Sequence, residues 1–432
     1  MKVRVALMVP ALAIAVCAVC LVWGDARRSA LAATAATAAA AAPNGCEFPT
    51  AQTGSPAETA WRLFVAANCA AKGNQLVWET WIEQDNLYPA GGAPAQPQGR
   101  RLHASPLARA TMAKKTGSTA GLPSSDCNSM QAPPSNVTKT TICEEVYVNP
   151  SARHFVTKDG FELRPGQTRA AKAGSTITFP TAAVEVKVDW IPGTDFTPPF
   201  TCAAPPRGVH VERIGGICYA MAGLHIASKL TPNWIWATFE PQNLQTNPNR
   251  CITFGACDDP WGSVPPTSKG GAGGFTQPSP ALKALMRSAH LAPDLENYRL
   301  DGVQTEFGTS SNPTLLGNSI IEGENVGLTA GQASCITCHS VSTIENTGTD
   351  GINTLVSMST PPVGPEYVPP SGWIARDFVW SLGLACPDGS GSIGSLQTCK
   401  STSGSSGNAG KATGAKPKSK STATSTSTST GS

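Results

Sequence analysis

The chain has 432 residues, enough for two or three domains, and its formal net charge is only +3. The two ends carry much of the positive charge, because residues 1–32 and 387–432 hold nine basic but only two acidic side chains, which leaves the body mildly acidic. The sequence therefore has no basic stripe of the kind that binds nucleic acid.

Residues 1–32 have the layout of a secretory signal peptide. Lys2 and Arg4 precede an apolar run that continues to about Gly24, and small residues then lead to an Ala-Leu-Ala sequence ending at Ala32. The alternative is an uncleaved leader that associates with a membrane, because the run approaches the roughly 20 residues that span a bilayer. Either interpretation predicts an exported body, for example in the periplasm.

Two helices are predicted near the start of the body. Ser55, Pro56 and Glu58 form a helix start, with a capping serine, a proline in the first turn and a glutamate three residues after the cap. The stretch 75–84, QLVWETWIEQ, predicts a second helix with its apolar side chains on one side. Residues 89–140 are rich in Pro, Gly, Ser and Thr, which predicts long loops.

Residues 142–260 change to the alternating pattern of β-strands. The stretch 182–192, AAVEVKVDWIP, alternates apolar with charged residues, which predicts a strand with one apolar and one charged face. A further helix is predicted to begin with Ser279 and Pro280 and to end before Pro293.

A strand hairpin is predicted in the middle of this region. Residues 216–229, GICYAMAGLHIASK, alternate so that Tyr219, Met221 and His225 would share one face. The sequence LTPN then turns the chain, and residues 234–241, WIWATFEP, run back. The two strands therefore predict an antiparallel hairpin inside a larger sheet.

Ten cysteines predict disulfide bonds. The chain has 14 cysteines, of which two lie in the leader and two in a C-x-x-C-H sequence. An even number of remaining cysteines in an exported chain indicates a disulfide framework, although the sequence leaves the connectivity open. Pairing neighbours along the chain gives Cys46–Cys69, Cys127–Cys143, Cys202–Cys218, Cys251–Cys257 and Cys386–Cys399.

The stretch 333–340, ASCITCHS, contains the C-x-x-C-H signature of one covalently attached c-type haem. Two thiols three residues apart, Cys335 and Cys338, reach both vinyl groups of the haem, and His339 then lies beneath the iron as the proximal ligand. Export agrees, because c-type haem is attached outside the cytoplasm. The alternatives are a thioredoxin-like dithiol, which needs a βαβ setting, and a zinc site, which needs two further ligands.

The segment around this motif resembles the haem segment of c-type cytochromes, with LLGNSIIEG before it and GWIARDFVWSLG after it as short flanking helices. The runs AWRLFVAANC, VWETWIEQ, MAGLHIASKLTPNWIWATFEP and NYRLDGVQTEF extend the likeness over roughly residues 56–382. This part resembles a family of exported bacterial cytochrome c-like proteins that carry a single C-terminal CxxCH motif and are otherwise uncharacterised. The resemblance implies one haem and a redox role, and it does not imply a substrate.

Two residues are candidates for the sixth iron ligand, opposite His339. Met358 follows 19 residues later in a loop flanked by prolines, as the methionine of His/Met cytochromes does, unless it is a packing residue. His225 could bind the iron directly or stand over an open iron as a proton donor, unless it is an ordinary core histidine. Trp236 and Glu240 on the returning strand are candidates for lining the same pocket.

The expected fold is α+β in two parts. A strand-rich domain of unknown function would span residues 45–300, and a small all-α cytochrome c-like haem domain would span 301–386. Residues 400–432, rich in Gly, Ser, Thr and Lys, predict a disordered tail.

The expected function is electron transfer by an exported monohaem c-type cytochrome, with a redox protein as its partner, since an acidic body suits a basic partner. The alternative is a haem-dependent oxidoreductase, peroxidase-like or oxidase-like, with a pocket formed by the strand-rich domain. Size favours this alternative, because a carrier needs only about 100 residues.

Overall fold

The computed structural model describes residues 45–73, 75–88, 102, 127–129, 137, 141–242, 259, 278–318, 320–322, 332–358 and 362–385. The leader, the C-terminal tail, the pairs Cys251–Cys257 and Cys386–Cys399 and most of the loop region 89–140 lie outside these residues. The described residues form a mixed helix-and-strand fold built on an antiparallel sheet.

Helices and strands are numbered in chain order. The helices are α1 (Pro56–Ala67), α2 (Gln84–Leu87), α3 (Pro150–Lys158), α4 (Arg164–Lys172), α5 (Pro280–Ser288), α6 (Cys335–Ser340) and α7 (Ile352–Ser357). The strands are β1 (Ile82–Glu83), β2 (Asn128–Ser129), β3 (Thr141–Val148), β4 (Val184–Pro192), β5 (Val211–Ile214), β6 (Ile217–Ser228), β7 (Ile235–Pro241), β8 (Tyr298–Gln304), β9 (Thr343–Glu345) and β10 (Trp373–Ala375). Short 3-10 turns cover Trp78–Thr80, Gly193–Asp195, Leu295–Asn297 and Trp380–Leu384.

The main sheet has the strand order β1-β3-β4-β6-β7-β8, with β2 beside β3 and β5 beside β6. Every pairing in it is antiparallel. The predicted hairpin is confirmed, because β6 pairs with β7 from Leu224 opposite Phe239 to Ser228 opposite Ile235. No helix in the described ranges is long and apolar enough to cross a bilayer.

Helix α1 covers one face of the sheet. As predicted, Ser55 caps it, and the Ser55 Oγ accepts a hydrogen bond from the Glu58 amide at 3.1 Å. Its apolar side reaches β7 and β8, where the ring centroid of Phe64 lies 4.5 Å from that of Phe239 and 5.9 Å from that of Tyr298. This face of the sheet therefore forms a hydrophobic core.

A β-bulge in β6 corrects the predicted faces of this strand. Ala222 has no partner in β4 and is an extra residue, so the alternation of side chains reverses there. Met221 lies opposite Trp190 and belongs to the core under α1, whereas His225 lies opposite Lys187 on the other face. The prediction that Met221 and His225 share one face is therefore wrong.

The C-terminal part of the described chain packs on this other face. Asn318 donates through Nδ2 to Thr238 Oγ1 at 3.0 Å, which ties this part to β7. Gly223 lies so close beneath it that an added Cβ would be 2.8 Å from Ile321 Cδ1. The C-terminal part of the described chain therefore covers side chains on the second face of the sheet, including His225.

The expected all-α domain over residues 301–386 is not shown. Its described residues include the second half of β8 and the two-stranded sheet of β9 and β10, besides α6 and α7. The stretch 372–383, GWIARDFVWSLG, is not a flanking helix, because it forms β10, a tight turn and a 3-10 turn. The reason is that β10 pairs with β9, which uses the backbone groups that a helix would need.

The predicted helix over residues 75–84 is also wrong. This stretch forms the 3-10 turn Trp78–Thr80 and then strand β1, in which Ile82 lies opposite Val148 of β3. Pairing with the edge of the sheet has overridden the helical pattern, as tertiary context often does.

Three disulfide bonds in the described residues confirm the pairing of neighbouring cysteines. They join Cys46 to Cys69, Cys127 to Cys143 and Cys202 to Cys218, with Cα–Cα distances of 5.8, 4.6 and 5.5 Å. The bonded cysteines are 23, 16 and 16 residues apart. A disulfide that closes a loop of this length stabilises the fold by about 3 kcal/mol in the chain-entropy description. The two cysteines of the CxxCH motif form no disulfide bond.

An ion-paired histidine beside the sheet makes stability depend on pH. His210 Nδ1 lies 2.7 Å from Asp294 Oδ2, and its Nε2 lies 3.0 Å from Glu212 Oε1. Burial lowers the pKa of His210, but the two carboxylates outweigh burial and raise the pKa to about 9. Because the folded state then holds the proton more tightly, this stabilisation is complete below pH 6.5 and is lost as the pH rises through about 9.

We expect His210→Gln to lower the free energy of unfolding by on the order of 2 kcal/mol at pH 6 and by much less at pH 10. Urea denaturation at the two pH values measures the difference. His154→Gln, at an exposed position of α3, is the control and should change little at either pH. Equal losses at pH 6 and pH 10 for His210→Gln would contradict the ion-pair explanation.

Candidate functional site

Helix α6 presents the two thiols of the CxxCH motif. Cys335 is its first residue and Cys338 lies one turn later, so both side chains project from the same side of the helix. The start of the helix is fixed to β8, because Gln304 Oε1 accepts from the Ile336 amide at 3.0 Å and Gln304 Nε2 donates to Ser334 Oγ at 3.1 Å. The sheet therefore fixes the position of the thiols.

The ring of His339 is held by a backbone carbonyl. Its Nδ1 lies 2.8 Å from the carbonyl oxygen of Phe378, and since a carbonyl only accepts, Nδ1 carries the proton. Burial lowers the pKa of His339 to about 4, against the effect of the Phe378 hydrogen bond, which raises it. The imidazole is therefore neutral at pH 7, and its Nε2 has a free lone pair, which is the form that binds a metal.

A tight turn over residues 376–379 supplies this carbonyl. The last amide of the turn donates to the carbonyl of its first residue at 3.0 Å, and both central residues have positive φ, 50° at Asp377 and 71° at Phe378. Such angles cost a non-glycine residue on the order of 1 kcal/mol or more. Ser342 holds both ends of the turn, since its carbonyl accepts from the first amide and its hydroxyl donates to the last carbonyl, each at 2.8 Å.

An indole ring packs against His339. The ring centroid of Trp236, on β7, lies 4.3 Å from that of His339 and 6.0 Å from that of Phe378. The Trp236 Nε1 donates to the carbonyl of Asn233 at 2.9 Å, which fixes the indole. The imidazole is therefore oriented both by a hydrogen bond and by aromatic packing.

A small cavity lies between α6 and the second face of the sheet. It measures about 40 Å³, and the residues around it include Glu185, Lys187, His225, Trp236, Cys335 and His339. Two histidines that are 114 residues apart in the chain therefore line one cavity. Met358, which caps the C-terminal end of α7, and Glu240 are not among the lining residues.

His225 brings a second neutral imidazole to this cavity. Its Nε2 is buried with no hydrogen-bond partner in the described part of the chain, and Glu322 Oε1 lies 3.7 Å away. Burial lowers the pKa of His225 well below its usual range, and the charge of Lys187 acts in the same direction. A buried polar atom without a partner is costly, so the position favours a ligand for this nitrogen.

The two thiols are held in their protonated form. Burial, together with the charge of Glu322, raises the pKa of both thiols, that of Cys338 to about 12. Reactive dithiols have lowered pKa values instead. The site therefore does not favour a thioredoxin-like dithiol, and the sheet of the described residues is antiparallel, unlike the βαβ setting of such pairs.

An acidic residue on β4 borders the cavity. Burial and the nearby charge of Glu144 together raise the pKa of Glu185 to about 7, although Lys187 opposes this effect. Lys187 also forms an ion pair with Glu144. Glu185 is therefore a group beside the cavity that gains or loses a proton near neutral pH.

The residues present fit a covalent haem in their chemistry and anchoring. Such a haem needs two thiols one turn apart and a neutral histidine whose other nitrogen is held, which Cys335, Cys338 and His339 provide. The cavity has room for about one water molecule, so a porphyrin would extend beyond it, and the three side chains are only half-buried. Within the described ranges, no group of three or more His, Cys, Asp or Glu side chains is arranged to hold a metal ion.

Sequence reasoning missed the group that orients His339. Phe378 lies 39 residues further along the chain and contributes a main-chain oxygen, for which no side-chain pattern exists. The position of Trp236 near the site could be predicted from the sequence, because the hairpin brings its strand beside that of His225. Glu185 and Lys187 were predicted only as the charged face of a strand.

No protein-family model, no curated protein and no solved structure matches this chain. The candidate site therefore depends on the chemistry and geometry of its own residues. The resemblance to exported cytochrome c-like proteins stays a prediction from the sequence.

Proposed function

We propose that the protein is an exported monohaem c-type cytochrome that transfers electrons through one covalently bound haem. The observation that carries this proposal is the ring of His339, whose Nδ1 proton is held by the Phe378 carbonyl. His339 directly follows Cys338 on the helix that also carries Cys335. A dithiol and histidine anchored in this way are what a covalent haem requires.

Each residue of the site has a role in this proposal. Cys335 and Cys338 would hold the haem through thioether bonds, and His339 Nε2 would bind its iron. His225 is the preferred candidate for a second iron ligand, because it lines the same cavity and its Nε2 is buried without a hydrogen-bond partner among the described residues. Met358 is less favoured, since it does not line the cavity. The haem would supply one-electron chemistry, and the residues of the site would hold it and partly exclude water.

Location and partner form part of the same proposal. Three disulfide bonds are compatible with an oxidising compartment such as the periplasm, and residues 1–32 have the layout of a signal peptide. The resemblance to exported bacterial cytochrome c-like proteins agrees with this location. The half-buried residues of the site reach the surface, which a redox partner protein needs for electron transfer.

A haem-dependent oxidoreductase is the second candidate function. The cavity favours it, because its walls come from the strands of the sheet as well as from α6, and because Glu185 and Lys187 border it. In this case His225 would not bind the iron and would act as a proton donor for a peroxidase-like or oxidase-like reaction. The two candidates differ in whether the iron has an exchangeable position.

Covalent haem attachment is tested by the colour of the protein. Protein produced in cells that attach c-type haem should show the α band of a covalent haem when reduced, and the pigment should stay with the protein in acidified acetone. The double variant Cys335→Ser/Cys338→Ser should bind no haem covalently, whereas Cys202→Ser/Cys218→Ser, which removes a disulfide, should keep it. A colourless wild-type protein would end the proposal.

The sixth ligand is tested by comparing His225→Ala with Met358→Ala. If His225 binds the iron, the wild-type resting iron should bind cyanide weakly, and His225→Ala should tighten binding by about tenfold or more because it opens a position. Met358→Ala should then behave as the wild type. If Met358→Ala tightened cyanide binding and His225→Ala did not, Met358 would be the second iron ligand. Ready cyanide binding by the wild type would favour the oxidoreductase, and His225→Ala should then slow the reaction with peroxide.

A further inference from the structure

A buried carboxylate holds the turn that supplies the Phe378 carbonyl. Asp377 Oδ1 accepts from Lys229 Nζ at 2.6 Å, and Asp377 Oδ2 accepts from the Phe179 amide at 2.7 Å. The Lys229 and Asp377 side chains are only 8% and 7% exposed. Both carboxylate oxygens of Asp377 therefore tie the 376–379 turn to two distant parts of the chain.

Lys229 is itself fixed at the end of the strand that carries His225. It follows the last residue of β6, its amide donates to the carbonyl of Ala183 at 3.0 Å, and its Nζ also donates to the carbonyl of Pro232 at 2.7 Å. One strand therefore places His225 at the cavity and, through Lys229, reaches the turn that holds His339.

The conformation of the turn depends on such support. Asp377 and Phe378 both have positive φ, and the second central position of a turn with two positive φ angles normally carries glycine. Phe378 is disfavoured there, because its side chain crowds the backbone. Relaxation to ordinary negative φ would turn the Phe378 carbonyl away from His339, and the contacts of Asp377 oppose that relaxation.

We propose that Asp377 is a positioning residue for the imidazole of His339. Held by Lys229 and the Phe179 amide, it keeps the turn in the conformation that presents the Phe378 carbonyl to His339 Nδ1. The consequence for haem rests on the proposed function. A carbonyl that accepts from Nδ1 makes Nε2 a stronger donor, which favours ferric over ferrous iron.

The experiment determines the tautomer of His339 and the rate at which its Nδ1 proton exchanges with water. It uses the full chain labelled with ¹⁵N-histidine, with the haem iron reduced. Wild-type protein should show the Nδ1–H tautomer with a proton protected from exchange with water. Asp377→Ala should speed this exchange by about tenfold or more. It should also shift the haem equilibrium toward the reduced form by about tenfold, which is about 59 mV for a one-electron couple.

Two control variants separate positioning from general stability. Asp377→Asn tolerates positive φ but keeps only one acceptor oxygen for the two donors, so it should speed exchange by a smaller factor than Asp377→Ala. Leu282→Ala creates a cavity in the core on the other face of the sheet and should leave the exchange rate and the reduction potential unchanged. An asparagine variant as damaged as the alanine variant would overturn the proposal.

Lys229→Met keeps the test decisive if Asp377→Ala does not fold. It removes one of the two contacts of the Asp377 carboxylate and should change exchange in the same direction by a smaller factor. If the His339 Nδ1 proton of Asp377→Ala exchanged as slowly as in the wild type, the proposal would be overturned. If the alanine variant does not fold, the same result in Lys229→Met would overturn it.

The exchange measurement distinguishes this proposal from the proposed function. It needs no haem, so in a protein isolated without pigment the tautomer of His339 in Asp377→Ala still decides whether Asp377 positions the ring. A coloured protein with unchanged exchange would leave the haem proposal standing and remove the role of Asp377.

Discussion

The extra residue Ala222 in β6 is the constraint on which both faces of the sheet depend. Because it reverses the alternation of side chains, the first part of the strand sends Met221 into the core beneath α1, and the last part sends His225 to the opposite face. One strand thereby contributes to the hydrophobic core and also presents an imidazole to the cavity. With strict alternation, one of these two side chains would lie on the wrong face.

Covering the second face of the sheet determines the chemical state of the side chains there. Charges removed from water are costly unless they are paired, and Lys187 of β4 has its partner in Glu144. The same loss of solvation lowers the pKa values of His225 and His339, so both imidazoles are neutral at pH 7. Burial thus leaves two uncharged nitrogen donors at one cavity, which is the state in which histidine binds a metal.

The direction in which His339 presents Nε2 depends on main-chain geometry. The Phe378 carbonyl fixes the tautomer, Trp236 packs against the ring, and Ser342 joins the 376–379 turn to the chain just after the histidine. These contacts come from separate segments, so the orientation of the ring depends on the tertiary fold and not on α6 alone. A ring held in this way needs little rearrangement when it binds a ligand.

Local patterns in the sequence were sufficient to predict four features. These are the capped start of α1, the β6–β7 hairpin, the three disulfides between neighbouring cysteines and the placing of the CxxCH residues on one helical turn. Each of these features depends on residues close together in the chain. Contacts between distant segments set the rest: the face on which His225 lies, the edge strand in place of a helix within residues 75–84, and the carbonyl that orients His339. These features are a bulge, an edge pairing and a main-chain acceptor. Each is stabilised by contacts with segments far along the chain, and no local window of sequence contains those segments.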